Sequence, residues 1–488
     1  MAPDLPNATL ERLSAFVTRE MGLFFPKERW NELERGIASA LRALGCQDSL
    51  ADVERLLARA LSRRELETIA EFLTVGETYF LREPRTLEVF QKEILPELLR
   101  ARRGGERRLR IWSAGCSSGE EPYSIAILLR RMLPDLAQWQ VTILATDINA
   151  ASLRKGMAGV YRAWSFRASP SWFRDLYFRP VGAGLYEIDP RIKRMVSFAY
   201  LNLAEEGYPS LASNTNAMDV IFCRNVLMYF APQLAQAVVG RLHRSLMEKG
   251  WLIVSPAEIS PTLYASFEAV HCADSSLYRK GGASPRPATA GVAIPAAAPA
   301  VAPRQPAGAA AEPAQSRYEL AAKLYRQGRY PEACTLLTEP YPPGNEDLAA
   351  LSLLVRSYAN QGELAQAQRW CDQALKADRL DPELHCLRAE ILQEQGETGE
   401  ARASLERALF LDPTLAIAHL SLGYLALWEG RGNTAGKHFE NALRLISSVA
   451  DDALLPGTEG MTAGRLREIV LRMTLSTGGG GRGEGGRS

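Results

Sequence analysis

The sequence predicts a multidomain protein: an all-α N-terminal domain, an α/β domain built on a mostly parallel sheet, and a C-terminal solenoid of paired helices. Three observations carry that prediction. Apolar residues recur at helical spacing over residues 1–72 with no clear strand, short apolar runs alternate with helices from Leu109 onward, and small residues recur every 34 positions from Gly328. The length of 488 residues agrees, since a prior of about 150 residues per domain suggests about three units.

Taken in order, residues 1–85 form the helical domain, with Leu10, Leu13, Phe16 and Val17, then Leu33, Ile37, Leu41 and Leu44, then Leu56, Leu57 and Leu61 marking apolar helix faces. Residues 86–281 form the α/β domain, with strands expected at 109–114, 141–145, 195–201, 220–223 and 251–254. Residues 282–316 turn abruptly to Ala, Pro and Gly, too poor in large side chains to offset their ordering entropy, and read as a linker. The repeats fill 317–446: Gly328, Gly362, Gly396 and Gly430 share one phase, and Ala333, Ala367, Ala401 and Ala435 share another. Small residues at fixed phase suit stacked antiparallel helix pairs, with Gly at the turn and Ala where helices approach closely. An amphipathic segment at 462–475 is expected to cap the stack within 447–477, and the Gly-rich tail 478–488 is expected to be disordered.

Composition excludes several functions. Lys plus Arg number 57 against 56 for Asp plus Glu, so no global electrostatic footprint favours nucleic acid or an anionic membrane. The seven cysteines are scattered without a C-x-x-C pair, which argues against a zinc site and for a reducing compartment. The N-terminus lacks the basic and apolar regions of a secretory signal, and the longest weakly apolar stretch, 290–303, is too short and proline-broken to span a bilayer. A cytoplasmic protein without membrane insertion is expected.

The first expected strand runs into Ser113-Ala114-Gly115-Cys116-Ser117-Ser118-Gly119 and then a helix, a small-residue turn that lets backbone approach a ligand at the carboxyl end of a parallel sheet. A G-x-G-x-x-G dinucleotide cradle is missing, while Asp147 ends the next strand as a candidate partner for a ribose diol. That combination suits a nucleoside without phosphates, such as S-adenosylmethionine (SAM). Taken alone, the same residues also read as a tight turn with Asp147 as a helix N-cap.

Two resemblances narrow the reading. Gly-Arg-Tyr-Pro-Glu-Ala at 328–333, Asp-Pro at 381–382 and 412–413, and Leu422-Gly423-Tyr424 resemble tetratricopeptide (TPR) repeats. Residues 74–83 (TVGETYFLRE), 111–114 with 118–126 (SGEEPYSIA), 145–148 (ATDI), Asn202-Leu203 and 222–230 (FCRNVLMYF), in that order, resemble the CheR-type chemoreceptor glutamate O-methyltransferases over residues 10–280. A TPR extension is similar to the subgroup serving Wsp-like or Frz-like arrays.

The resemblance implies a SAM-dependent methyltransferase (Rossmann-like) domain with a small antiparallel subdomain in 155–200, which in some relatives docks a receptor's C-terminal pentapeptide. It implies methylation of glutamate side chains on the cytoplasmic helices of methyl-accepting chemoreceptors in chemotaxis-like signal transduction, with array components as possible TPR partners. It also implies roles: Arg82 and Tyr229 orienting the substrate carboxylate, Asp147 accepting ribose hydroxyls, Ala114 presenting backbone to the methionine end, Glu120 meeting its ammonium group, and Asn202 and Leu203 bordering adenosine. Gly76, Thr78, Ile148, Arg224 and Asn225 complete the cofactor-binding set. Without the resemblance, Arg224 reads as a surface ion-pair partner and Tyr229 as core packing at a helix end. Gly76 departs from the family's usual Asn, which motivates an alternative: a TPR scaffold whose methyltransferase-like domain binds SAM but is catalytically weak.

Overall fold

The computed structural model describes residues 5–281 and 314–471, apart from residues 48, 60, 103–106, 273–274, 339–347, 459–460, 465 and 468. Most of the expected linker and all of the expected tail lie outside the described residues. Helices α1 (Asn7–Met21), α2 (Trp30–Ala43), α3 (Leu50–Leu57) and α4 (Arg63–Leu73) make the N-terminal domain. Their apolar faces meet around Leu13, Val17, Leu33, Ile37, Val53 and Ile69. The starts of α3 and α4 are fixed by reciprocal side-chain to backbone bonds of Ser49 with Asp52 and Ser62 with Glu65. This core ends at Leu73, and Phe80 already belongs to the core of the α/β domain.

Helices α5 (Pro84–Val89) and α6 (Leu95–Arg102) lead into β1 (Arg108–Ala114), α7 (Glu120–Met132), β2 (Gln140–Asp147) and α8 (Ala150–Ala158). An insertion follows, made of β3 (Val160–Arg162), α9 (Ser171–Tyr177), β4 (Phe178–Gly182), β5 (Leu185–Ile188) and α10 (Pro190–Lys193). The chain then returns through β6 (Val196–Tyr200), β7 (Met218–Phe222), α11 (Pro232–Ser245), β8 (Leu246–Ile253), β9 (Glu268–Cys272) and β10 (Ser275–Arg279). The seven-stranded sheet has the order β6-β2-β1-β7-β8-β10-β9. Its first five strands are parallel, at the places the apolar runs mark, and the antiparallel β9–β10 hairpin extends one edge. That hairpin has no counterpart in the sequence reading, because its strands are short and their apolar alternation is weak. The insertion forms a separate antiparallel sheet of order β3-β5-β4, as the resemblance implies.

Strand order reverses between β1 and β7, and at such a switch point the loops leaving neighbouring strands diverge and open a crevice at the carboxyl ends. Register pairs Ala114 with Thr146, Asp147 with Tyr200 and Ser113 with Phe222, so the loops carrying Gly115, Asp147, Leu201 and Arg224 open side by side.

The repeats form four helix pairs: α12 (Ala314–Arg326) with α13 (Tyr330–Thr338), α14 (Leu348–Asn360) with α15 (Leu364–Ala377), α16 (Pro382–Gln395) with α17 (Thr398–Leu411), and α18 (Ala416–Trp428) with α19 (Gly432–Ile446). Ala333, Ala367, Ala401 and Ala435 are all fully buried, as their phase predicts. Beyond them the described residues of 463–471 are helical, and Leu466 and Val470 close the core of the fourth pair. Among the described residues no helix is long and apolar enough to cross a membrane.

Phe80 anchors the segment between the two N-terminal units. Its ring, fully buried, lies 4.8 Å from Tyr161, 4.9 Å from Phe166, 5.0 Å from Phe178 and 5.5 Å from Phe173, all of the insertion. Replacing Phe80 with Ala is expected to cost about 3–5 kcal/mol in denaturant unfolding, since the cavity opens inside an aromatic cluster that cannot collapse. A loss below ~1 kcal/mol would show that this cluster does not hold the segment.

Candidate functional site

A cavity of about 1080 Å³, including its open mouth, lies at the switch point and has room for a nucleoside-sized ligand. Its floor is the turn after β1. Gly115 and Cys116 donate backbone N–H groups to Thr146 O at 2.8 and 2.9 Å, which folds the chain back tightly. Gly115 has φ +78°, and a Cβ there would lie 2.4 Å from Val226, so only glycine fits the close approach of the two loops.

Asp147, at the end of β2, accepts from the Ser117 N–H at 2.8 Å and the Asn149 N–H at 2.7 Å. Burial raises its carboxyl above the usual carboxylate range, against the backbone N–H groups, which favour the anion. The helix that follows is capped by Asn149, which accepts from Ser152 N, so Asp147 is not its cap. Carboxylate oxygens each have two lone pairs, and the two bonds leave acceptor capacity toward the cavity.

One wall is built around Arg224. Its side chain is 2% exposed and donates to Glu121 at 2.9 Å, to Glu83 at 3.0 Å and to the Arg82 carbonyl. Arg224 is therefore a buried tie, not a surface ion pair. Of its two carboxylate partners, Glu121 lines the cavity.

Glu258 holds the adjoining loop. It accepts from the N–H groups of Asn225 at 2.6 Å, Val226 at 2.8 Å and Met228 at 3.2 Å. Asn225, at φ +58°, is bent by this grip and donates its side chain to Ser255. The loop ends at Tyr229, whose carbonyl accepts from Phe24 N at 2.7 Å. Tyr229 thus packs against the N-terminal domain and lines the cavity at once. Thr78 and Arg82 also line the cavity, and Arg82 Nη1 donates to Glu77 O at 2.6 Å. Cys116 lies in the lining, but burial pushes its thiol well above its usual range, so it stays protonated and a poor nucleophile.

Comparison with known proteins fits this geometry. Residues 76–275 match the model described as CheR methyltransferase, SAM binding domain. Chemotaxis protein methyltransferase 1 of Pseudomonas aeruginosa is 31% identical over 279 residues, covering 56% of this chain and 98% of that protein. The chain belongs to the CheR methyltransferase family. Residues 314–338, 348–373 and 382–407 match tetratricopeptide repeats, and the geometry adds the fourth pair. The probable biofilm formation methyltransferase WspC of P. aeruginosa is 29% identical over 418 residues, covering 83% of this chain and 90% of that protein. Chemotaxis protein methyltransferase 2 of Vibrio cholerae is 35% identical over 219 residues, covering 45% of this chain and 74% of that protein. A CheR methyltransferase uses SAM, and the lining suits it: an acceptor carboxylate at a strand end, a glutamate at the first turn of α7, and no glycine cradle for phosphates.

The cavity brings together Gly76, Thr78, Arg82, Asp147, Ile148, Asn202, Leu203, Arg224, Asn225 and Tyr229. Two of the residues singled out in the sequence lie elsewhere. Ala114 is fully buried within β1, and Gly115 takes its place in the lining. Glu120 turns away to accept from Ser118 at 2.7 Å and Ser165 at 3.0 Å, and Glu121 faces the cavity instead. One residue of helix rotates the side chain by about 100°, and sequence position alone does not settle which of two adjacent acids points inward. Asn202 lines the cavity but donates to Glu20 O at 2.8 Å, tying the sheet to the end of α1. Phe24, Phe25 and Arg29 also line it, and no signal in the sequence marks these N-terminal residues as part of the site.

Gly76 has an ordinary φ, and a Cβ there would meet only Ser117 Oγ at 3.7 Å and Ser152 Oγ at 4.0 Å. A side chain fits. Gly76→Asn is expected to keep stability within about 0.5 kcal/mol, and one added hydrogen bond of about 1 kcal/mol would tighten SAM roughly five-fold in calorimetry. Weaker binding would show that the space is needed by the ligand.

Proposed function

We propose that this protein transfers the methyl group of SAM to glutamate side chains on the cytoplasmic helices of chemoreceptors, forming γ-glutamyl methyl esters, and that it works in the cytoplasm. What supports the reading is that Arg82, Glu121, Asp147 and Tyr229 line one cavity at the carboxyl edge of the sheet.

SAM supplies an electrophilic methyl on a sulfonium centre. A substrate glutamate is already ionised at pH 7, so no residue has to remove a proton before its oxygen attacks. The lining agrees: its one thiol is held neutral, and its acids are engaged in hydrogen bonds and ion pairs. The chain's task is alignment and exclusion of water. Asp147 accepts the ribose hydroxyls, and Glu121 offsets the cationic methionine end. Ile148, Asn202 and Leu203 border the adenosine. Arg82 meets the incoming carboxylate with a charge-assisted bond, and the Tyr229 hydroxyl fixes its second oxygen.

Asp147→Ala is expected to weaken SAM binding by about 10–100-fold in calorimetry. Wild-type affinity should also fall as the solution is acidified through the raised Asp147 pKa, because the protonated carboxyl loses acceptor capacity. Arg82→Ala and Tyr229→Phe should instead lower methyl transfer far more than SAM affinity. The deciding assay adds methyl-labelled SAM and follows base-labile label on the cognate receptor. Full turnover in both variants, or base-stable label alone, would overturn the assignment, and SAM binding without any label would favour the scaffold alternative.

A further inference from the structure

The repeats do not hang free of the enzyme. Each repeat-opening helix ends on a glycine in the left-handed region, with the next residue's N–H reaching back five positions: Arg329 to Leu324, Glu363 to Tyr358, Glu397 to Leu392 and Arg431 to Ala426. Three of these four ends face the amino-terminal edge of the catalytic sheet. A Cβ on Gly328 would lie 2.0 Å from Arg244, one on Gly362 would lie 2.6 Å from Met247 and 3.2 Å from Arg108, and one on Gly396 would lie 3.5 Å from Gln140. Gly430 faces nothing within 4 Å.

Helix C-termini carry spare carbonyls and partial negative charge, and the catalytic domain meets them with donors and cations. Asn216 donates to Ala359 O at the end of α14 and Gln140 to Gln393 O at the end of α16. At the centre Glu394 bonds Arg108 at 3.1 Å and Asn216 at 3.0 Å and lies 3.8 Å from Arg110, with Arg108 4% and Glu394 8% exposed. Beside this polar centre Leu211 of the catalytic domain is buried among Val355, Ala359, Leu387 and Ile391.

We propose that the repeat array is a fixed arm of the enzyme, seated by the C-terminal ends of its first three repeat-opening helices on the amino-terminal edge of the sheet with Glu394 as the specific tie. The active-site cavity opens at the other end of the same strands, so a partner held by the array sits at a set distance from the methyl-transfer centre. The array does not deliver it by swinging on residues 282–316.

The test uses the full chain with a specific protease site placed within 282–316. After cleavage the two halves of the wild type should co-elute at micromolar concentration. Glu394→Arg should separate them, with at least a ten-fold loss of co-elution affinity, and Arg108→Glu in that background should restore part of it. SAM affinity within about two-fold of wild type shows that the catalytic half is still folded. If Glu394→Arg fails to fold, Arg244→Glu at the half-exposed end of the dock should still weaken co-elution. Wild-type halves that separate on cleavage, or folded variants that co-elute as tightly as wild type, overturn the proposal.

Discussion

A buried guanidinium organises the site. Arg224 leaves β7 with almost no access to water, and a charge so placed persists only if partners close at hand replace its hydration. Those partners come from elsewhere in the chain: Glu83 and the Arg82 carbonyl from the segment joining the first two domains, and Glu121 from the first turn of α7. Satisfying one side chain therefore fixes the relative positions of three stretches whose ends form the cavity. Glu83 accepts in turn from Ser255 beyond β8, and Glu121 from Ser113 in β1, which passes the constraint into the sheet. Arg82 donates to the Glu77 carbonyl and, among the described residues, pairs with no carboxylate.

The N-terminal domain is part of the same arrangement. Phe24 N bonds to Tyr229 O, Asn202 bonds to the last turn of α1, and Asn149 bonds to Thr74 at 2.8 Å. Each of these links joins a helix end of the first domain to a loop at the carboxyl edge of the sheet. The aromatic cluster around Phe80 braces the joining segment from the other side, against the antiparallel insertion. The cavity is thus walled by the N-terminal domain, the joining segment and the loops at the carboxyl edge of the sheet.

Much of this was legible in the sequence, and the limits are physical. The parallel strands announce themselves because strands covered on both faces are continuously apolar, and the repeats because a 34-residue period is exact in Gly and Ala. The cofactor turn was legible from Gly115 and from Asp147 at a strand end. The choice between Glu120 and Glu121 depends on helix phase at the first residue of α7, where the cap is set by Gly119 at φ +91°. The role of Glu258 and the wall from Phe24 and Phe25 arise from residues brought together across long sequence separations, and no local pattern encodes such a meeting. The same holds for Glu394, which looks like any acid on a solvated helix until Arg108 is placed opposite it.

The glycine turns have a consequence for how such a chain can vary. The surface that meets the catalytic sheet is the part every repeat must possess in order to turn from its first helix to its second. Growth or loss of repeats beyond the third therefore leaves the seat untouched, since a side chain at Gly430 would meet nothing within 4 Å. Lineages can lengthen, trim or resurface the distal end as partners change, while substitutions at the first two turns are penalised twice, once for the fold of the repeat and once for its fit against the enzyme.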